Sequence, residues 1–437
     1  MFTTLKNAFK IKEIRQKLLF TFLMLVVIRF GSQLPVPGVD RHYFSQWFEA
    51  QTNGAFNFFD AFTGGSFLNM SVFALNITPY ITSSIIMQLL TIAIPKLEEM
   101  QKDGEDGRKK IASITRYVTV ALALVESAAM AIGFGNQGLL EEYNALNVIT
   151  VIAALTAGSA FLMWIGERIT EKGVGNGISI VLIINIISRM PDDFNSLYEQ
   201  FVKGKSVPLA VVSALVIIAI ILAMIVFVVV LNDGVRKIPV QYAKKIQGNK
   251  MVGGQSTFLP LKVNTAGVIP IIFASSLMQF PIVISTLVGY QGTGVWRQIL
   301  SGLNQDNWCN PDQMIYSIGL LVYIVLTIFF AYFYTSLTFN PLEIANNMKK
   351  QGGFIPGIRP GKPTSDYLTK VLNAIIFIGA VGLIIIAVVP FFFNGVFGAS
   401  VSFGGTSLII IVSVVLETMK QIESQMLVRN YKGFLND

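Results

Sequence analysis

Residues able to do covalent or metal chemistry are scarce in this 437-residue chain. His42 is the only histidine and Cys309 the only cysteine, which excludes a histidine metal cluster, a Ser-His-Asp triad and an intramolecular disulfide. Gly173, Gly175 and Gly177 resemble a fragment of a phosphate loop, but no strand precedes them and no Gly-Lys-Ser/Thr follows. Gly361-Lys362 runs into Pro363 and lacks the earlier glycine that such a loop needs. Away from the segment ends, ionisable groups inside apolar stretches are limited to Arg29, Glu126 and Glu417, on three separate segments. Ion-coupled transporters gather such groups at a substrate site, so these three read as helix-packing or interfacial residues. The sequence predicts no enzyme, no cofactor and no metal site.

What recurs instead is branched aliphatic side chains beside glycine, asparagine and proline. Ile77 and Ile81 stand four residues apart and so share one face of a helix. Ile178 and Leu182 repeat that spacing after Asn176-Gly177, Ile272 follows Gly267 and Pro270, and Ile410 follows Gly404-Gly405. Any one of them is what ordinary packing looks like. Together they offer a ring of bulky, deformable groups that closes on a passing object and excludes water when empty, a dewetting gate.

The stretch before the first pair is unusual. Phe58, Phe59, Phe62, Thr63, Gly64, Gly65, Ser66 and Phe67 form a run too short and broken to cross a bilayer, which takes roughly 20 apolar residues. It leads into an apolar segment at about 74–94 that carries Asn76, Thr78, Pro79, Thr82, Ser83, Ser84 and Gln88. That is more polarity than lipid contact on all sides favours, so part of the segment faces water or protein. The pattern is that of a pore wall with its own stopper. Glycines and hydroxyls give the stopper few strong anchors, and its displacement is expected to cost only a few kcal/mol.

The elements that must hold these residues are membrane spans. The chain is 53% hydrophobic and 13% charged, with a mean hydropathy of +0.61, whereas charged residues make up about 25% of soluble domains. Ten apolar segments are expected, at about 18–34, 74–94, 114–135, 148–166, 176–190, 208–231, 265–289, 312–338, 371–392 and 404–422. The fifth is short, and its polar lead-in predicts a tilted or partly inserted helix. With a cytoplasmic N-terminus, 27 of the 33 Lys and Arg fall inside. Five fall outside (Arg41, Arg189, Lys203, Lys205 and Arg297), and Arg29 lies in the first span. This asymmetry agrees with the positive-inside rule and puts both termini in the cytoplasm.

Two of the inside loops, 232–264 and 340–370, are far longer than the two to eight residues usual between neighbouring helices. Both mix basic residues with Gly, Pro and Gln, and in the second Arg359 sits between two Pro/Gly turns. They read either as solvated linkers or as docking posts for a large acidic partner.

Four runs carry a close resemblance: Phe73 to Ile81, Trp164 to Ser179, Phe354 to Gly361, and Phe403 to Ser407. They resemble, in order and across essentially the whole chain, the signature stretches of the SecY family, the channel subunits of the bacterial protein translocase. One departure is Asn76, where the family commonly has Gly. The resemblance implies an all-α polytopic membrane protein of ten transmembrane helices, in two pseudo-symmetric halves of five around a central hourglass pore. The halves would be 1–190 and 191–437, hinged between spans five and six. Ile77, Ile81, Ile178, Leu182, Ile272 and Ile410 would form the pore ring, and Phe62, Thr63, Gly64, Gly65, Ser66, Phe67, Leu68, Asn69 and Met70 the plug. A lateral gate would open between the second and seventh spans. Arg359, Lys244, Lys245 and Lys250 would dock the SecA motor or the ribosome, and SecE and SecG would be partner subunits. The expected clients are signal sequences and unfolded preproteins, with lateral access to the lipid bilayer, in the bacterial plasma membrane. Two other classes fit parts of the pattern. A solute transporter of inverted repeats would show a polar midplane site, and an insertase without a pore would need neither plug nor ring.

Overall fold

The computed structural model describes residues 8–51, 60, 63–242, 245–247, 250–252, 256–287, 294–397 and 405–433. Each of the ten apolar segments coincides with a helix: α1 (Lys12–Gly31), α2 (Thr78–Ala93), α3 (Glu105–Asn136), α4 (Ala145–Lys172), α5 (Gly177–Phe201), α6 (Val207–Asp233), α7 (Ile269–Leu287), α8 (Ile318–Thr338), α9 (Lys362–Phe397) and α10 (Gly405–Gly433). Among the described residues five helices are long and apolar enough to cross a membrane singly, or six if α2 and the helix Pro95–Lys102, bent by 106° at Ile94, count as one span. α6 shows the lipid-facing extreme, with Val207, Leu209, Leu215, Val216 and Val226 exposed around about half of its circumference, as suits a helix that is apolar all round.

Two spans depart from expectation. α2 begins at Thr78, with Pro79 in its first turn, and residues 64–77 form a chain of turns rather than helix. Proline tolerates that first turn because its missing N–H has no intrahelical role there. α5 is not short. It runs 25 residues, through Pro191 and past the expected half boundary at 190, and residues 202–206 connect it to α6.

Glycine permits a close contact between α4 and α5. A Cβ on Gly177 would lie 1.8 Å from the Gly166 carbonyl oxygen of α4, so the glycines that mimic a phosphate loop instead let α4 and α5 approach backbone to backbone. Asn176 caps α5, its side chain accepting from the Ile178 and Ser179 amides.

The two long loops, 232–264 and 340–370, are joined in one small sheet. β1 (Val235–Tyr242) pairs antiparallel with β4 (Ser256–Lys262) on one side and with β5 (Gly353–Phe354) on the other. A separate hairpin links β2 (Lys245–Gln247) and β3 (Lys250–Val252). Ile238 and Val240 of β1 point inward onto Leu261, Met348, Ile355 and Leu368, while Arg236 and Lys237 stay exposed. These loops are folded against α9 rather than solvated linkers.

Candidate functional site

The six predicted ring residues come together. Ile77, Leu182 and Ile410 are buried in a single apolar cluster, and Ile81, Ile178 and Ile272 pack against it. They come from the start of α2, the first turns of α5, the first turn of α7 and the first turns of α10, so four helices converge on one small apolar volume.

On one side of this cluster lies an open cavity of about 450 Å³. Ile81 and Ile178 form part of its wall, with Tyr80, Ser84 and Gln88 of α2 and the Arg116–Glu167 ion pair, 2.7 Å long, between α3 and α4. Part of the polarity of α2 is thereby accounted for: Ser84 and Gln88 face the cavity, and Ser83 hydrogen-bonds Thr119 of α3. A narrower crevice runs between Ile85, Gln88 and Leu89 of α2 and Phe273, Phe330 and Phe333 of α7 and α8.

On the other side lies the segment expected to be the plug. Of its residues Phe62 lies outside the described residues; Thr63, Gly64, Gly65, Ser66, Phe67 and Met70 are buried, and Leu68 and Asn69 half-buried. The order along α5 makes the separation explicit. Asn176 and Ile178 meet the cavity, Ile178 and Leu182 join the cluster, and Asn185 and Ser188 touch the turn at Gly64. From Ile178 to Arg189 is about 16 Å at the α-helical rise of about 1.5 Å per residue.

The expectation that this segment has few anchors is overturned. Phe67 and Met70 sit in a core with Phe44, Leu75, Phe134 and Leu155, and the Phe44 and Phe67 rings meet edge to face at 6.2 Å. Asp60, fully buried, receives the Leu68 amide at 3.0 Å on Oδ1 and meets Arg189 Nη1 at 2.7 Å on Oδ2. The second contact is ionic, without hydrogen-bond alignment. Burial pushes the Asp60 carboxyl above the usual carboxylate range; Arg189, the Leu68 amide and Thr63 pull it back, while Asp193 adds to the rise. Arg41 donates to Asn69 Oδ1 at 3.1 Å and Arg29 to the Gly64 carbonyl at 3.4 Å. Arg29, read from sequence as a packing residue, therefore contacts the segment directly.

Asn76 has φ +52°, in the left-handed region. Glycine enters that region without strain and Asn is among the few other residues that tolerate it. Its Oδ1 accepts from Asn185 Nδ2 at 3.0 Å, and its carbonyl accepts from Ser159 at 3.0 Å. Sequence reasoning missed Asp60, Asn185 and the role of Arg189. One signal was available: Asp60 is the only charged residue between Glu49 and Lys96.

Of the residues expected to dock a motor or ribosome, Arg359 is exposed, between Gly357 at φ +82° and Gly361 at φ +102°. Its carbonyl accepts from Thr364 Oγ1 at 2.8 Å, which ties the turn to α9. Lys245 and Lys250 belong to the β2–β3 hairpin, and Lys244 lies outside the described residues.

The SecY family profile matches residues 71–419. A protein translocase subunit SecY of Halalkalibacterium halodurans is 45% identical, over 100% of both chains. The protein translocase subunit SecY of Bacillus subtilis is 44% identical, again over 100% of both chains. Among solved structures, a protein-conducting channel superposes with a TM-score of 0.64 at 18% identity, covering 94% of this chain and 93% of that one. A SecY structure described by its plug domain, which stabilises that channel's closed state, gives a TM-score of 0.62 at 18% identity, covering 94% and 92%. A channel from a canine ribosome-channel complex of the endoplasmic reticulum gives 0.60 at 17% identity, covering 94% and 93%.

Proposed function

The chain belongs to the SecY family, and on that premise we propose how its geometry moves a polypeptide across a membrane. It is a multi-pass membrane protein and a channel subunit, not a catalyst. The observation that carries the reading is the convergence of six aliphatic side chains from four helices, between an open cavity and a buried stopper segment. Clients of such a channel differ at every residue. An aliphatic collar surrounds any of them without demanding particular hydrogen bonds, whereas a charged ring would retain some sequences and repel others. When empty it stays dry, because branched side chains offer water no partners.

In this reading the cavity is the cytoplasmic entrance, the ring is the constriction, and residues 63–70 are the plug on the far side. The α2/α7 crevice is the seam through which hydrophobic segments pass into lipid. The exposed turn at Arg359 and the basic β2–β3 hairpin offer positive charge to an acidic partner surface, for which a SecA-type motor and the ribosome are the candidates. SecE-like and SecG-like subunits complete the assembly, in the bacterial plasma membrane with both termini in the cytoplasm. The test is site-specific photocrosslinking from positions 81, 178 and 272 to an arrested secretory polypeptide, with the lipid-facing position 218 as control. Crosslinks from the three ring positions, absent at 218, are expected; equal labelling at 218 would refute the assignment.

A further inference from the structure

One stripe of α5 serves both the ring and the plug. Ile178, Leu182, Asn185 and Arg189 follow one another at spacings of four, three and four, which keeps them on a single helix face. The first two pack in the ring cluster. Asn185 binds Asn76, the residue immediately before the ring's Ile77. The backbone of Asn185 also faces Gly64 so closely that a Cβ there would lie 2.6 Å from the Asn185 carbonyl oxygen. Arg189 pairs with Asp60, whose side chain is 0% exposed, on the entry side of the plug turns. The plug is thus fastened on both sides, at Asp60 and at Asn76, to two adjacent turns of the helix that carries two ring residues.

We propose that the Asp60–Arg189 ion pair and the Asn76–Asn185 hydrogen bond are a two-point latch that couples the plug to the ring through α5. A shift of α5 that widens the ring pulls both fasteners together, so the plug is released when a client enters and held when the channel is empty. A buried carboxylate and guanidinium suit this task, since separating them leaves each charge in a buried site without the counterion it now contacts. Asn76 in turn accepts a backbone strain that glycine would not carry, and gains the contact to Asn185. Asp60, Arg189, Asn76 and Asn185 are positioning residues. None is required to touch the client.

The inference rests on the plug reading, and the experiment separates the two. The full chain, assembled with its partner subunits, is compared in planar bilayers as parent, Asp60→Asn, Arg189→Gln, the double variant, Asn76→Gly and a deletion of residues 63–70. Conductance is normalised to assembled complex. Asp60→Asn and Arg189→Gln are each expected to raise resting ion conductance about ten-fold, by biasing a two-state plug equilibrium. The double variant should rise no further than either single, because both remove the same contact. Asn76→Gly, which keeps the backbone geometry and loses only the side-chain bond, should raise conductance and relax the requirement for an intact signal sequence while assembly stays at parental level. If the deletion conducts but Asp60→Asn, Arg189→Gln and Asn76→Gly do not, the latch is refuted and the plug stands. If the deletion itself leaves resting conductance unchanged, the plug reading fails and the latch with it. Should the Asp60 and Arg189 variants fail to assemble, Asn76→Gly alone decides: parental conductance and stringency refute the coupling.

Discussion

Replacing Ile81 and Ile272 together by Ser tests whether the ring seals by dryness. Both side chains are half-buried and pack against the cluster that holds Ile77, Leu182 and Ile410. Full burial of an isoleucine is worth about 1.5–3 kcal/mol, so a half-buried one contributes about 1 kcal/mol to keeping water out, and the pair about 2 kcal/mol. At about 1.4 kcal/mol per factor of ten, the hydrated constriction should become about 30-fold more populated. The hydroxyls push in the same direction by giving water the partners that aliphatic groups deny it. The assay is single-channel recording in planar bilayers with purified complex, comparing parent, the double Ser variant and a volume-conserving Ile81→Leu/Ile272→Leu control. The Ser variant should conduct small ions at rest in rough proportion to that population, and the Leu control should match the parent. Unchanged resting conductance in a Ser variant that assembles and exports normally would refute the argument, since two of six collar residues would then contribute nothing to the seal.

Arg359→Glu should leave protein levels near parental and reduce post-translational export in vesicles by ten-fold or more, because the residue is exposed on a turn held by its backbone; parallel loss of level and export would make it structural. Gly177→Ala should destabilise the α4/α5 contact by several kcal/mol, since the added methyl would meet the Gly166 carbonyl at 1.8 Å; a parental melting temperature in detergent would refute the close-approach reading. Burial holds the Cys309 thiol above its ordinary value, so less thiolate is present at neutral pH. Labelling by an impermeant maleimide added outside should therefore be slow at pH 7 and climb through pH 9 without levelling; a plateau near pH 8 would contradict it. Fusion of a cytoplasm-active reporter after Lys420 should give activity; efficient labelling of that tail from outside would overturn the orientation.

The helix pattern was legible because lipid leaves so little choice. A backbone crossing a bilayer must satisfy its own hydrogen bonds, so length and hydropathy announce each helix, and every one of the ten apolar segments is matched by one. The six clustered aliphatic positions were legible for a related reason, in that the i, i+4 spacing and the neighbouring glycines are local features. Their convergence was not. Ile77 and Ile410 are 333 residues apart, and only the packing of α2, α5, α7 and α10 puts them in one cluster. The same limit explains the misjudged plug. Its glycines and hydroxyls promise little locally, while its anchors, Arg189, Arg41 and the aromatic core around Phe44, arrive from elsewhere in the chain. Arg189 counted among the outside charges of a topology rule, and tertiary structure turned it into the partner of a buried carboxylate. The long loops 232–264 and 340–370 carry the point furthest. Their basic composition was visible, but strand pairing between β1 and β5 joins residues 241 and 354, a contact set by backbone hydrogen bonds that side-chain composition does not encode. Sequence determines which segments leave water, since that depends on each residue's own transfer free energy. Only the fold decides which of them meet, since meeting depends on the free energy of the whole packed arrangement.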